Sequence, residues 1–257
     1  MNVLWVFAHP EERSLNAALL RDGVAALTGA GHQVEVSDLY AMKWNPVVDR
    51  DDYAAGTERL HVDKASQRAL ETGTLSPDVQ AEQAKLNDAD LLVLQFPLWW
   101  FSVPAILKGW IDRVFVRGYA YGIPDPRRPG RSLRYGTGGL SGKRALAVVT
   151  VGGAEETYGP RGIDGDLTQV LFPLLHGTFF YAGMSPLPPV AIHSAGHLST
   201  EDYTVESARL RARLATVATD QPLPYRPQNG GDYDERMILR PDVAPDQTGL
   251  DQHLSRR

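Results

Sequence analysis

The chain has 257 residues, a formal net charge of -5, 43% hydrophobic and 22% charged residues, and no cysteine. This balance suits one sizeable packed domain, or one domain with an extension, and provides no basic face for neutralising nucleic-acid phosphates. Without thiols there are no disulfides, thiolate nucleophiles or Cys-ligated zinc, which fits a reducing compartment. Residues 3–7 form a β-rich run. The apolar stretch 3–8 is too short for a signal-peptide core, and no later stretch approaches a membrane-spanning length. The sequence is therefore read as soluble and cytoplasmic, without stable membrane insertion. After a polar loop over 8–16, a helical pattern runs from about 16 to 28 and stops near Gly29 and Gly31. A strand over 33–36 completes a βαβ unit, which predicts a parallel sheet. Residues 43–75 carry no convincing period and read as a long excursion with local helix. Ser76, Pro77 and Asp78 open the next helix with a cap, a first-turn proline and an acid at the positive dipole end.

Residues 91–94 follow as a continuous apolar strand, the pattern of a strand covered on both faces. The stretch 94–122 is the organising one. It breaks at Pro97, places Trp99, Trp100 and Phe101 together, and enters a helix for which Ser102 is the expected N-cap and Pro104 an early helical position. Val103, Ile106, Leu107, Trp110, Ile111, Val114 and Phe115 share one stripe, with Lys108, Asp112 and Arg113 assigned to the opposite face. A strand end opening into a helix is where open α/β sheets place ligands, and three large rings there suit a flat aromatic one. By composition alone, ordinary core is the commoner role for such rings.

A Gly-, Pro- and Arg-rich loop covers 122–142. Strand 144–151 then ends at Gly152 and Gly153, a helix over 166–181 should kink at Pro173, strand 190–192 follows, and a helix over 200–218 closes the domain. About five strands alternating with helices predict a doubly wound parallel sheet of order 2-1-3-4-5. Residues 1–218 form this domain. Residues 219–257 are rich in Pro, Asp, Gln and Gly, and are either disordered or an arm that needs a surface to lie on. Tyr225, Tyr233, Met237, Ile238 and Leu239 favour the arm.

Several positions are candidates for chemistry. The loop His9 to Asn16 precedes a helix whose free N–H groups and dipole suit a phosphate, with Ser14 and Asn16 adding donors; a simple capped turn is the alternative. Residues 136–142 imitate a dinucleotide fingerprint but lead into a strand, so they read as a flexible loop. Tyr158 and Asp164 follow the Gly152-Gly153 strand end and could handle a proton or a charge beside a bound ring, although Asp164 or Asp166 could equally cap a helix. His193 and His197 are spaced like a metal pair, but the intervening turn and the missing third ligand argue against metal.

Together, Ser37-Asp-Leu-Tyr-Ala-Met42, Leu75-Ser-Pro-Asp78, Gln95-Phe-Pro-Leu98, Trp100-Phe101, Val103-Pro-Ala-Ile-Leu-Lys-Gly-Trp110, Arg113-Val-Phe115, Gly152-Gly153, Gly162-Ile163 and Gly165-Asp166 resemble the NAD(P)H quinone dehydrogenase (DT-diaphorase) family of flavodoxin-like flavoproteins. The resemblance spans about residues 1–218. It implies an FAD, with FMN as the alternative, whose ring lies along Pro97, Leu98, Trp99, Trp100 and Phe101 and against Thr150, Val151, Gly152 and Gly153, with its diphosphate on His9, Ser14, Leu15 and Asn16. It implies NADH or NADPH as reductant, a quinone or small aromatic acceptor, and ping-pong hydride transfer. Trp100, Phe101, Tyr121, Ile123, Tyr181 and His197 match acceptor-pocket positions. Tyr121 and Tyr181 would come from the second subunit of a homodimer, on which the arm would pack. Tyr158 and Asp164 match the catalytic pair.

Five departures accompany the resemblance, one of them Val151 in place of one of two threonines. Asp164 replaces a histidine, Ile123 a second pocket tyrosine, and Tyr203 an arginine near the end of the FAD. Trp99 stands where the family carries a smaller amide. Rival readings are a flavin-binding ancillary subunit of a potassium efflux system, or an azo, nitro or biosynthetic aromatic reductase.

Overall fold

A computed structural model describes residues 1–255. Strands β1 (Asn2–Phe7), β2 (Gln33–Asp38), β3 (Leu91–Pro97), β4 (Arg144–Thr150), β5 (Ser185–Pro186) and β6 (Val190–Ile192) form one sheet. Its order is β2-β1-β3-β4-β5, with β6 also pairing β4, and every pairing is parallel. The fifth position is thus occupied by two short strands rather than the single 190–192 strand expected. Pro188 and Pro189, which lack N–H donors, fall in the gap between them.

The period of two in the strands sorts the core into two faces. Leu4, Val6, Leu92, Leu94, Phe96, Ala147 and Val149 point to one cluster, together with Val79, Leu86, Leu107 and Trp110. The last four come from α3 (Pro77–Asp88) and α4 (Ala105–Val114). Val3, Trp5, Leu91, Val93, Leu146 and Val148 point to the other cluster, with Leu19, Leu27, Leu210 and Leu214. Those four belong to α1 (Leu15–Gly29) and to the long closing helix (Thr200–Thr216). Apolar residues on both faces of β3 explain its unbroken run of burial.

The excursion after β2 holds α2 (Val62–Thr72). On the side of α4 assigned to solvent from the sequence, Lys108 and Asp112 are exposed, but Arg113 is buried. Its guanidinium donates to Asp52 at 2.9 and 2.6 Å and to Asp78 at 2.7 Å. The expected helix over 166–181 is instead two short pieces, α5 (Leu167–Val170) and α6 (Phe172–Leu174), followed by a π-helical turn, Leu175–Phe180. Pro173, which removes a helical donor, sits at this break. Asp166 caps α5, accepting from the N–H groups of Thr168 and Gln169.

The glycine-rich loop 136–142 is held by packing rather than left flexible. A Cβ on Gly138 would overlap the backbone of Ala182, and one on Gly139 the carbonyl of Tyr119. The need for close backbone approach accounts for both glycines. The arm after Thr219 lies in part on its own chain. Tyr225 is buried against Phe172, His176 and Phe180, and Gln228 bonds Arg134 and the Ser132 carbonyl.

Candidate active site

Three loops leave the C-terminal ends of β1, β3 and β4 side by side, because Phe7 pairs Gln95 and Pro97 pairs Thr150 across adjacent strands. The order reverses between β1 and β3, so this edge is the topological switch point of the sheet.

On the first loop, Ser14 is the N-cap of α1, with its hydroxyl accepting from the Ala17 N–H at 3.1 Å. That hydroxyl can still donate its own proton. The helix geometry leaves the N–H groups of Leu15 and Asn16 without intrahelical acceptors. The half-buried His9 accepts from the Glu11 N–H through Nδ1. Asn16 is buried, and its amide bonds the Thr150 hydroxyl at 2.8 Å, linking α1 to β4. Gln95 donates to the Asn16 carbonyl at 2.7 Å and accepts from the Trp5 indole at 2.9 Å. Reading by periodicity passes over Gln95; the available signal is a single amide in an otherwise apolar strand.

The second loop departs most from ordinary backbone. Trp99 and Ser102 exchange both main-chain hydrogen bonds, at 3.1 and 3.0 Å. Between them Trp100 and Phe101 have φ of 50° and 58°. Two consecutive left-handed residues make a type I′ turn, a conformation usually assigned to Asn-Gly. Ser102, expected to cap α4, closes this turn instead, and Pro104 takes the N-cap position. The rings are not core: Trp100 is 95% exposed, Phe101 50% and Trp99 43%.

On the third loop, Val151 donates to Ile192, and Gly152 has open space where a side chain would stand. A Cβ on Gly153 would meet the Tyr158 ring at 2.9 Å and lie 3.5 Å from the Asp164 carboxylate, so those two groups flank the strand end. Tyr158 stands 6.3 Å from Phe101 and 5.7 Å from His193, ring centre to ring centre. Burial, and then the charge of Asp164, pushes the Tyr158 phenol up, so it remains a donor at neutral pH. His193, noted in the sequence only as half of a metal pair, keeps a buried Nδ1 without a partner. His197 is exposed, and its N–H reaches the Ser194 carbonyl.

The N–H groups of Trp100, Phe101, Gly152 and Gly153 find no acceptor among the described residues. They add to those of Leu15 and Asn16 to make a ring of donors at one sheet edge. The buried Asn16 Oδ1 also lacks a partner. The two ends of a side-chain amide are interchangeable here, because the Thr150 hydroxyl can donate to the oxygen and free the NH₂ group. These donors fit a phosphate at the start of α1 and an electronegative ring edge at the aromatic turn.

Not every expected residue joins this crevice. Tyr121 and Tyr181 line a different cavity, beside Ile111 and Phe115, to which residues 98–101 contribute no wall. Ile123 is nearby, pairing its carbonyl with the Leu133 N–H. Burial, followed by the charge of Asp63, raises the pKa of Tyr121. Tyr203 is occupied within the chain, donating to Asp22 at 2.6 Å.

A family profile described as flavodoxin-like fold matches residues 1–214. A quinone reductase from Klebsiella pneumoniae superimposes with a TM-score of 0.94 at 46% identity, covering 99% of this chain and 100% of that one. An NAD(P)H dehydrogenase [quinone] 1 from Cavia porcellus is 36% identical over 98% of this chain and 90% of its own length. A ribosyldihydronicotinamide dehydrogenase-like protein from Penicillium crustosum is 46% identical over 91% of this chain and 87% of its own. This chain belongs to the NAD(P)H quinone dehydrogenase family of flavodoxin-like proteins. No helix among the described residues is long and apolar enough to cross a membrane.

Proposed function

We propose that this protein is a flavin-dependent oxidoreductase that passes reducing equivalents from a dihydronicotinamide to a quinone. The observation that carries this reading is the ring of unpaired N–H donors beside three exposed aromatic rings at the switch point of the sheet. The enzyme class accords with the names of its relatives, which are quinone dehydrogenases.

FAD is the flavin we propose. Ser14, Leu15, Asn16 and His9 would hold its phosphates, and Pro97 to Phe101 with Thr150 to Gly153 would hold the ring. A bound flavin supplies two-electron chemistry, which lets reductant and acceptor use one site in separate half-reactions. For its part, the protein would stack substrates on Trp100 and Phe101, keep water from one ring face, and offer the Tyr158 hydroxyl as a proton donor. The alignment with the Cavia porcellus NAD(P)H dehydrogenase includes the arm, which supports NAD(P)H as reductant.

A homodimer fits the separation of Tyr121 and Tyr181 from the crevice of their own chain, since a second subunit could bring them to it. The test combines two assays. Flavin released by heating is identified by chromatography, and NAD(P)H oxidation is followed with and without a quinone. FAD together with quinone-dependent oxidation is expected; a colourless protein that ignores added flavin would refute the reading. For the dimer, mixing inactive Trp100→Ala and Tyr181→Ala chains should restore about a quarter of wild-type sites, because half of random pairs are mixed and each mixed pair has one intact site. No recovery would mean that each chain completes its own site.

A further inference from the structure

We propose that the cavity on the far side of Tyr121 and Tyr181 is an anion subsite, filled by a sulfonate, carboxylate or phosphate on one of the two substrates. The proposal rests on the quinone reductase reading and on the homodimer that would bring Tyr121 and Tyr181 to a crevice, and extends that reading to the charge class of the ligand.

The cavity has a volume of about 440 Å³, and its charged walls are Arg117, Arg131, Arg134 and Arg236 against one carboxylate, the exposed Glu235. This basic wall belongs to a chain whose net charge is -5. Two of the guanidiniums are already matched: Arg117 by Asp63 at 3.0 Å and Arg236 by Asp234 at 3.5 Å. The other two are not. Arg134 donates to the neutral Gln228 amide at 3.2 Å, and Arg131 donates to the Glu235 carbonyl and to the Met237 sulfur. Neither meets a carboxylate among the described residues.

Local structure fixes both side chains in place. Pro124 and Ser132 bridge across a hairpin in which the Asp125 N–H bonds the Arg131 carbonyl at 2.8 Å, and Arg131 and Arg134 then reach the arm. Asp125 itself is buried and accepts from the Arg127 N–H, away from the cavity wall. Arg127 and Arg128 are exposed on the same hairpin and extend the positive field outward, where it would steer an approaching anion. A guanidinium bound only to neutral acceptors keeps its charge and its fork of donors available, and a planar oxyanion is the ligand such a fork matches. Tyr121 and Tyr181 on the same wall provide aromatic surface for the body of the ligand.

The test is equilibrium binding by calorimetry to the purified protein with its flavin. The probes are 1,4-naphthoquinone-2-sulfonate and neutral 2-methyl-1,4-naphthoquinone. The sulfonate should bind about tenfold more tightly at low salt, an advantage that salt screening should erode. R131Q/R134Q should abolish the ratio and R131K/R134K should largely keep it, which separates charge from a change in the arm. Equal affinities in wild type within the quinone pair and also between the phosphate-bearing and phosphate-free nicotinamides, or ratios that R131Q/R134Q leaves unchanged in both arms, would overturn the proposal. A second arm compares NADPH and NADH with the phosphate-free ribosyl dihydronicotinamide, so that the substrate sensitive to the variants is identified as the source of the anion. If neither quinone is turned over, the enzyme reading fails, while the binding ratio still decides the subsite.

Discussion

Trp100 and Phe101 adopt a backbone conformation that their side chains disfavour, at a cost of about 1–2 kcal/mol each. The tight pairing of Trp99 with Ser102 maintains it, and the consequence is two rings exposed to solvent with their N–H groups unpaired. Strain kept at a ligand edge predicts a trade-off. Trp100→Gly should raise thermal stability by about 2–4 °C, equivalent to about 1 kcal/mol, while weakening quinone binding. A lower melting temperature would show that Trp100 is held by packing instead. Asp164 makes a second prediction at this scale. Its carboxylate adjoins Gly153 and makes no hydrogen bond among the described residues, so it adds negative charge where reduction of a bound ring would add more. Asp164→Asn and Asp164→His should each speed the reductive half-reaction, by about tenfold for the loss of one poorly screened repulsion. Stopped-flow absorbance measures this, and an unchanged or slower rate would rule out an electrostatic role for Asp164.

Among the elements, α4 carries the largest buried electrostatic commitment. Arg113 is bound by Asp52 and Asp78 and also donates to the Asn45 carbonyl at 3.0 Å, which ties the excursion 43–75 and the start of α3 to α4. Arg113→Met should cost about 3–5 kcal/mol in urea unfolding, because Asp52 is left buried and unpaired, and adding Asp52→Asn should recover much of it. A loss below about 1 kcal/mol would mean that water reaches the pair freely. The same residue shows what local pattern can and cannot reveal. Strand order, the βαβ unit, the Ser-Pro-Asp start of α3 and the aromatic turn were legible because they depend on period, caps and breakers within a few residues. The burial of Arg113 was not legible, because its partners Asp52 and Asn45 come from a segment without a period of its own. The split fifth strand and the π-turn were likewise hidden, since tertiary packing rather than propensity sets them. At the site, the capped loop before α1 and the two glycines at the end of β4 were readable as positions. Gln95 was not, because its role depends on bonds to Trp5 and Asn16, each more than 70 residues away in sequence.

For the molecule as a whole, the arm determines how stability depends on pH. His176 lies between Phe172 and Tyr135, stacked at 4.5 and 4.8 Å, and is closed over by Tyr225 and His253 from the arm. Burial, with a smaller effect from His253, pushes its pKa down to about 4 from 6.5. The unfolded chain therefore binds more protons than the folded one between these values, so this contribution is complete above pH 6.5 and is lost as pH falls towards 4. The loss should be about 2 kcal/mol between pH 7 and pH 5, read as the difference in urea unfolding free energy. His176→Phe keeps the aromatic stack but cannot titrate, so its stability should fall less over the same interval. Removing the chain after Asp220 takes away Tyr225 and His253 and uncovers the imidazole. That variant should be less stable at pH 7 and should also lose the His176 part of the pH slope. If the truncated protein kept both its stability and the wild-type slope, the arm would not be what buries His176. If only the slope persisted, the titrating group would lie elsewhere in the chain.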